Sequence, residues 1–321
     1  RLRNAVVPGV GGVELSARIF VAGHRGLVGS ALCREAAARG HQVFALVRGD
    51  SDGSLVPDER MILRGDFTHC DDARRALAAS AAEVVIHAAA VVSTGRPDLE
   101  KSLAVNVAGT GTLANAARAA GVRLWLQVSS MSAHDENRSI YGGTKFACDE
   151  VIRASGIPHI IFRPSLVYAG TPRGIFFRLV TICERARIIP LVGDGSEPVR
   201  PIHVDDLAAT MITASERPDL SRKSYPLGGA DAMTFRGLVE AICRAMNRSP
   251  RIIPVPRPIC RLGAVTLELF LRNPPLTSDN IEGLLRAQQV DHSEAVRDLG
   301  HSPRHFAEGF RECLKEMKSR S

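Results

Sequence analysis

The sequence predicts an α/β protein in which a doubly wound parallel sheet carries a smaller C-terminal α/β lobe. Short apolar runs alternate with helical stretches through the first half, which is typical of βαβ units and a parallel sheet. A glycine-rich turn directly follows the first apolar run and precedes the first helical stretch. The pattern predicts strands at 18–22, 42–47, 61–63, 83–87, 122–129 and 159–162, and helices at 27–39, 71–80, 98–120 and 139–154.

The second half of the chain is less regular and predicts the additional lobe. Proline and glycine are dense at 190–201 and 250–258, so we expect loops there. The predicted elements are helices at 175–187, 205–216, 234–247, 258–272, 277–287 and 303–318, with short strands at 225–227 and 252–255. The predicted domains are a flexible extension at 1–17, a sheet domain at 18–165, and a lobe at 166–321 that interleaves with the sheet domain near 190–230.

The composition is that of an ordinary globular protein. Of 321 residues, 45% are hydrophobic and 23% are charged, and no apolar run is long enough to span a membrane. The formal charge is +7, but no basic block occurs and there are only three Tyr and one Trp, which argues against nucleic-acid binding. Seven cysteines without a C-x-x-C pair argue against disulfides and zinc and favour the cytoplasm. We therefore expect a small-molecule ligand of anionic character, and no nucleic acid, membrane or metal as a partner.

The glycine-rich turn predicts a dinucleotide-binding loop. Gly23, Gly26 and Gly29 follow the order G-x-x-G-x-x-G. The first glycine permits a tight turn, the second lets the backbone approach a pyrophosphate, and the third lets helix and strand pack closely. Leu27 and Val28 open the helix, whose N-terminal amides can bind phosphate. A tight turn without a ligand is the alternative.

The end of the second predicted strand favours NADP(H) over NAD(H), which stays an alternative. A carboxylate at this position would bind a ribose 2′-hydroxyl, whereas an arginine nearby accommodates a 2′-phosphate. Val47 occupies the position and Arg48 follows it, while Arg25 offers a second guanidinium from the glycine loop. The other interpretation is that both arginines are solvated surface residues.

The glycine spacing resembles that of the extended short-chain dehydrogenase/reductase family, of the NAD-dependent epimerase/dehydratase, sugar-nucleotide type. Further segments resemble landmarks of that family in the same order, at 65–67, 87–90, 106–110 and 163–168. The resemblance implies a Rossmann fold. It also implies cofactor-binding roles for Asp66, Phe67, Ala88, Ala89, Ala90, Asn106, Pro164 and Val167.

A tyrosine and a lysine four residues apart are the candidate catalytic pair. Tyr141 and Lys145 lie on one face of a predicted helix, where the lysine cation is expected to lower the pKa of the phenol. A phenol tuned in this way suits general acid–base work. The resemblance implies that Tyr141 is the acid/base, that Lys145 also binds the nicotinamide ribose, and that Ser130 polarises the reacting oxygen. Ser129 and Ser132 are the alternatives to Ser130.

The substrate side departs from the family pattern. Only eleven positions separate Ser130 from Tyr141, and this shortened loop puts the substrate class in question. The resemblance implies that Arg200 binds the substrate diphosphate beside these two residues, although it stands one position nearer His203 than the pattern has it. Residues 134–136 are interpreted as a polar loop rather than a metal site or a proton relay.

The resemblance implies an NAD(P)-dependent enzyme, either an epimerase or a keto-sugar reductase, that acts on a nucleotide sugar. One alternative is a non-catalytic NADP(H)-binding protein, structural or redox-sensing, because residues 274–277 and 298–300 resemble a branch that includes an accessory subunit of respiratory complex I. Another is a reductase of a non-sugar carbonyl. The family also implies a homodimer formed through helices that include the Tyr141 helix.

Overall fold

The structure alternates strands and helices along the first half of the chain. The computed structural model describes residues 16–49, 61–91, 98–134, 138–260 and 289–319. The strands are β1 (Arg18–Ala22), β2 (Gln42–Val47), β3 (Ile62–Arg64), β4 (Val84–His87), β5 (Leu124–Val128), β6 (His159–Pro164), β7 (Val167–Tyr168), β8 (Ile188–Val192), β9 (Pro198–Val199), β10 (Ile202–His203), β11 (Ser224–Leu227), β12 (Met233–Thr234) and β13 (Arg251–Val255). The helices are α1 (Leu27–Ala38), α2 (Cys70–Ser80), α3 (Leu99–Ser102), α4 (Gly109–Ala119), α5 (Ile140–Ala154), α6 (Gly174–Arg185), α7 (Val204–Ser215), α8 (Phe235–Ala245), α9 (Ser293–Leu299) and α10 (Phe306–Ser319), with a π-helix at Leu103–Ala108.

A seven-stranded parallel sheet forms the centre of the molecule. Its strand order is β11-β6-β5-β4-β1-β2-β3, and each neighbouring pair is parallel. The chain winds outward from β1 in one direction through β2 and β3, and in the other direction through β4, β5 and β6. The order therefore reverses between β1 and β4, and ligands of such sheets bind beyond the carboxyl ends of the strands at that point. The predicted doubly wound fold is confirmed.

Helices cover both faces of the sheet and bury two cores against it. On one face, Leu32 of α1 packs in the same cluster as Leu207 and Met211 of α7. On the other face, Trp125 of β5 lies in a cluster with Leu113 of α4 and residues of α2 and α5. Since both faces are covered, the strands are apolar at nearly every position rather than at alternate ones.

The second lobe has its own aromatic core beside the sheet. Tyr168, Phe176, Phe306 and Phe310 pack ring against ring beneath α6, α8 and α10. Short two-stranded sheets edge the lobe, pairing β7 with β10, β9 with β12 and β8 with β13. β11 instead returns to the edge of the main sheet, so the lobe and the sheet share this part of the chain.

Several features differ from the predicted elements, among them the short strands β7, β9, β10 and β12, which the sequence pattern does not predict. β8 enters the region predicted as loop at 190–201, because exposed and buried residues alternate from Ile188 to Leu191 and Pro190 is tolerated in a two-stranded sheet. The predicted helix at 98–120 is divided into α3, the π-helix and α4. α9 is an element that the sequence pattern does not predict.

Several predictions fall on residues that the structure does not describe. These are most of the two helices at 258–272 and 277–287, residues 1–15 of the extension, residues 135–136 of the polar loop, and the segment 274–277. Within the ranges that are described, no helix is both long and apolar enough to cross a membrane.

Candidate functional site

The glycine loop joins β1 to α1 with almost no free space around its backbone. Gly23 has a φ of +89°, and a Cβ atom there would lie 2.5 Å from the amide nitrogen of Ala89. A Cβ atom on Gly29 would overlap the carbonyl oxygen of Gly23. The Gly26 amide donates to that same carbonyl at 2.9 Å, which closes the turn. The three predicted glycines therefore shape one cradle at the carboxyl end of β1.

The cradle leaves polar groups at the start of α1. Gly26 caps the helix without a side-chain hydrogen bond, and Leu27 and Val28 form its first turn. The Nε2 atom of His24 is buried and has no hydrogen-bond partner among the described residues. Burial and the neighbouring Arg25 lower the pKa of this histidine, so it is neutral near pH 7. A helix N-terminus beside an orphaned polar atom fits a bound phosphate group.

The carboxyl ends of β2 and β3 carry the pair predicted to bind the adenosine. Arg48 follows β2 directly, and its guanidinium lies 3.7 Å from the Asp66 carboxylate. Burial raises the pKa of Asp66, but hydrogen bonds from Thr68 and the charge of Arg48 outweigh it, and the net pKa is below the ordinary value. The Arg48 side chain is 73% exposed, so it is accessible to a ligand. Phe67 packs edge-on against His87 at 5.5 Å between the ring centroids.

The chain after β4 passes beside the glycine loop. Ala88 donates its amide to Ala22 at 2.9 Å, and Ala89 and Ala90 continue along the glycine loop as half-buried residues. Asn106 of the π-helix then fixes this segment, because its Oδ1 accepts the Val91 amide at 2.7 Å. Small side chains at 88–90 leave room for a flat ligand against the backbone.

The Asn106 side chain also connects this segment to α5. Its Nδ2 donates to the Val91 carbonyl at 3.2 Å and to the Thr144 hydroxyl at 3.3 Å. The Asn106 side chain therefore links the segment after β4 to α5 by hydrogen bonds.

The candidate catalytic residues lie on two elements that pack against each other. Ser130 follows β5, and its Oγ accepts the Ser132 amide at 3.2 Å. Tyr141 lies in the first turn of α5, and Lys145 follows one turn later. Gly142 packs against the carbonyl of Ser132 so closely that a Cβ atom there would overlap it. The short loop therefore brings the Ser130 turn against the first turn of α5.

The pKa of the tyrosine corrects one prediction. Burial, with the charges of Cys148 and Asp149, raises the pKa of Tyr141 to about 12, although the sequence predicts a lowered value. Lys145 is 2% exposed, and burial lowers its own pKa against the opposing pull of the same two residues. The rise in the pKa of Tyr141 is caused mainly by burial, with a contribution from an acid two turns further along the helix.

The carboxyl end of β6 carries the last two predicted cofactor-binding residues. Pro164 is the last residue of β6 and pairs with Leu227 of β11. Val167 lies in β7 and pairs with Ile202 of β10. Because β1, β4, β5 and β6 are parallel, Pro164 lies at the same sheet edge as the glycine loop and Ser130.

Arg200 is engaged within the chain. Its Nε donates to the Gly229 carbonyl at 2.8 Å, and its terminal nitrogens donate to the carbonyls of Val290 at 3.0 Å and Ala230 at 3.3 Å. Its own carbonyl accepts a hydrogen bond from the Ser165 hydroxyl. The guanidinium predicted to bind a substrate diphosphate thus holds three backbone carbonyls.

Sequence reasoning missed Ser129 and Asp149 as members of one polar group behind the site. The Ser129 hydroxyl donates to the Asp149 carboxylate at 2.9 Å, and Arg163 lies 3.5 Å from the same oxygen. A signal was available, because Asp149 stands four residues after Lys145, just as Lys145 stands four residues after Tyr141.

Comparisons with known proteins agree with this geometry. Residues 19–228 match the sequence model of the NAD dependent epimerase/dehydratase family. The ceramide reductase of Caulobacter vibrioides is 31% identical over 281 residues, which cover 86% of this chain and 84% of that protein. The 2-alkyl-3-oxoalkanoate reductase of Stenotrophomonas maltophilia is 26% identical over 341 residues, covering 95% of this chain and 99% of that protein.

A solved structure shares the fold across nearly the whole chain. The crystal structure of UDP-glucose 4-epimerase from Thermotoga maritima with UDP-glucose matches with a TM-score of 0.75 and 18% sequence identity. The match covers 94% of this chain and 99% of that one. At this identity the likeness concerns the fold.

Proposed function

The chain belongs to the NAD-dependent epimerase/dehydratase family, an enzyme family, and from that premise we propose that it is an NAD(P)H-dependent reductase of a carbonyl on a lipid-like substrate. The predicted family and enzyme class are confirmed by the match over residues 19–228. The proposal selects the non-sugar alternative in place of the nucleotide-sugar epimerase or keto-sugar reductase that the resemblance implies.

The engagement of Arg200 carries the proposal. A guanidinium has five N–H donors in a fixed plane, and here three nitrogens point at the backbone of 229–230 and of Val290. Releasing them to bind a diphosphate would leave three carbonyls without this donor. Leaving buried or half-buried acceptors unpaired costs about 1–3 kcal/mol each. A substrate without a diphosphate requires no such exchange.

The names of two relatives point to the same substrate class. One relative is named for ceramide and another for a 2-alkyl-3-oxoalkanoate, and both are reductases. Both names describe molecules that carry alkyl chains. Neither name contains a nucleotide.

The residues present suit proton donation in the direction of reduction. When bound, the nicotinamide would supply the hydride to the carbonyl carbon. A phenol with a pKa of about 12 is protonated at neutral pH, so Tyr141 is ready to donate its proton to the carbonyl oxygen. Ser130 would hydrogen-bond that oxygen, and Lys145 would hold the cofactor ribose. At neutral pH little of Tyr141 is in the phenolate form that would accept a proton in the reverse reaction.

NADP(H) is the proposed cofactor. Its diphosphate would lie at Gly26 and the start of α1, where the glycine cradle leaves no side chain in the way. Its 2′-phosphate would lie near Arg48, which is exposed at the end of β2, with Arg25 as a second cation. Val47 supplies no carboxylate to compete with that phosphate.

A two-substrate assay tests the proposal. Purified protein is supplied with NADPH or NADH together with either a long-chain 3-oxoalkanoate ester or UDP-glucose, and nucleotide retained by the protein is identified by mass spectrometry after denaturation. We expect oxidation of NADPH with the ester and no conversion of UDP-glucose. The variant Tyr141→Phe should lose about 10²–10⁴-fold in turnover while its NADPH affinity stays the same.

The contrary outcomes are distinct. Retained NAD⁺ with conversion of UDP-glucose would identify an epimerase. Reversible NADPH binding with neither activity would favour the non-catalytic alternative. A protein that binds neither NADPH nor NADH would leave the glycine loop as a structural turn.

A further inference from the structure

One face of α5 carries three ionisable side chains in sequence. Tyr141, Lys145 and Asp149 are spaced four residues apart, which places them one above the other along the helix. Lys145 is 2% exposed and Asp149 is 0% exposed. The candidate catalytic pair therefore continues into the protein interior and ends on a carboxylate.

Asp149 connects this helix face to two strands. Its Oδ2 accepts the Ser129 hydroxyl at 2.9 Å and lies 3.5 Å from an Arg163 terminal nitrogen. Ser129 is the residue before Ser130, and its amide donates to the Phe162 carbonyl of β6 at 2.7 Å. The carboxylate thus fixes the end of β5 that carries Ser130 against the helix that carries Tyr141.

The hydrogen bonding of this carboxylate is incomplete. The Oδ1 atom of Asp149 is buried without a partner, and so is the Nε atom of Arg163, within the part of the chain that the structure describes. A buried carboxylate with one hydrogen bond at 2.9 Å and one ion pair at 3.5 Å lowers the stability of the folded protein, because its desolvation is only partly compensated. A purely structural tie between α5 and β5 would be made more cheaply by a neutral side chain, so the charge itself requires an explanation.

The charges around Asp149 supply that explanation. Burial raises the pKa of Asp149. Three cations oppose this rise by attracting the carboxylate: Arg163 on β6, and Lys145 and Arg153 on α5. Asp149 in turn opposes the fall in the pKa of Lys145 caused by burial. Beside them, the groups that face the same space are His87 on β4, whose pKa burial lowers to about 3, and the Cys148 thiol, whose pKa burial raises.

We propose that Asp149 is a positioning residue for the reaction: its negative charge, below Lys145 on α5, keeps the Tyr141 hydroxyl protonated for donation, and its hydrogen bond to Ser129 holds the Ser130 end of β5 against α5. The inference deepens the proposed reductase function and rests on it. It assigns to one buried acid both the protonation of Tyr141 and the alignment of the Ser130 end of β5 with α5.

The variant Asp149→Asn separates charge from shape. An amide oxygen still accepts the Ser129 hydrogen bond, but the negative charge is gone. Because that charge raises the pKa of Tyr141, the phenolate of Tyr141 should form at lower pH in the variant, with about a tenfold larger phenolate fraction at a given pH below the midpoint. The alkaline limb of the NADPH-dependent reduction should move in the same direction, since a deprotonated Tyr141 cannot donate its proton.

The phenolate is measured by near-ultraviolet absorbance after a pH jump, without cofactor or substrate. The chain has three tyrosines, and burial raises the pKa of both Tyr168 and Tyr225, so the signal of Tyr141 is assigned by subtracting the Tyr141→Phe spectrum. Because this readout needs no reaction, it can fail while the proposed reductase function holds, and the reverse is also true.

Glu150→Gln is the matched control. It removes a carboxylate from the next position of the same helix, but this side chain is 51% exposed and pairs with Arg153 at the surface. Its phenolate curve should coincide with that of the wild type. A wild-type curve for Asp149→Asn would overturn the proposal, because Asp149 would then be uncharged or without effect on Tyr141.

A second variant tests whether Asp149 aligns the Ser130 end of β5 with α5, even where Asp149→Asn fails to fold. Ser129→Ala removes the hydrogen bond and keeps both charges. We expect kcat to fall about tenfold with the NADPH affinity unchanged, because only the Ser130 end of β5 loses its tie. An unchanged kcat in Ser129→Ala would overturn the alignment role.

Discussion

The glycine loop and the Arg200 cluster both depend on close contacts with the backbone, but the contacts are of different kinds. At the glycine loop, backbone packs on backbone, and the carbonyl of Gly23 meets the position where Gly29 would carry a side chain. At Arg200, a long side chain reaches across to the carbonyls of Gly229, Ala230 and Val290. The first arrangement needs particular residues at fixed spacing, whereas the second needs only one side chain of sufficient length. The comparison indicates that the glycine loop depends on three residues with no side chain, whereas the Arg200 cluster depends on the hydrogen bonds of a single side chain.

The largest effect is expected from Gly29→Ala. The new Cβ atom would overlap the Gly23 carbonyl oxygen and lie 3.0 Å from the Cα of His24, so β1 and α1 would have to separate. We expect a loss of about 3 kcal/mol in the free energy of unfolding. We also expect NADPH affinity to fall more than tenfold. Urea unfolding and a cofactor fluorescence titration measure the two changes.

Gly111→Ala is the control for this substitution. Gly111 lies inside α4, where a new Cβ atom would meet only Val151 at an ordinary 3.9 Å. Alanine is the better helix former, so this variant should gain about 0.5–1 kcal/mol. If Gly29→Ala behaved in the same way, the glycine loop would not be the tightly packed region that distinguishes it from the Arg200 cluster.

A smaller effect is expected from Arg200→Met. Methionine keeps much of the length but has no donor, so three backbone carbonyls lose their hydrogen bonds. At roughly 1 kcal/mol for each bond, the free energy of unfolding should fall by about 2–3 kcal/mol, as urea unfolding would show. Arg187→Met, at an exposed position between α6 and β8, should change it by less than about 0.5 kcal/mol. An Arg200→Met protein as stable as the wild type would mean that the guanidinium is available to a ligand, and a nucleotide sugar would again be the better candidate.

The comparison also explains what the sequence could reveal. Alternating apolar runs and the glycine spacing predict the sheet and the loop at 23–29, because backbone geometry alone requires them. Tyr141 and Lys145 are predictable for a similar reason, since four-residue spacing on a helix is a local property. The engagement of Arg200 with Val290 could not be predicted, because ninety positions separate the two residues and only the folded lobe brings them together.

The π-helix and the raised pKa of Tyr141 could not be predicted from the sequence pattern. The residues of the predicted helix at 98–120 have ordinary helical character, and nothing local marks the widened turn at 103–108 that carries Asn106. The expected fall in the pKa of Tyr141 took account of Lys145 but not of burial, which is a property of the whole site. Properties set by residue spacing were predictable, whereas the pKa of Tyr141, which depends on burial, required the folded structure.

The smallest expected effect lies at the adenosine end of the cofactor side. Arg48→Ala removes an exposed cation whose described charged neighbour is Asp66, 3.7 Å away, and leaves the glycine loop intact. We expect NADPH affinity to fall about tenfold with NADH affinity unchanged, because only the 2′-phosphate loses a partner. Arg74→Ala, at an exposed ion pair with Asp71 on α2, should change neither affinity. Titration of both variants with both cofactors tests this expectation. Equal losses of NADPH and NADH affinity in Arg48→Ala would mean that Arg48 supports the glycine loop and does not bind the 2′-phosphate. This position would then give the protein no preference for NADP(H).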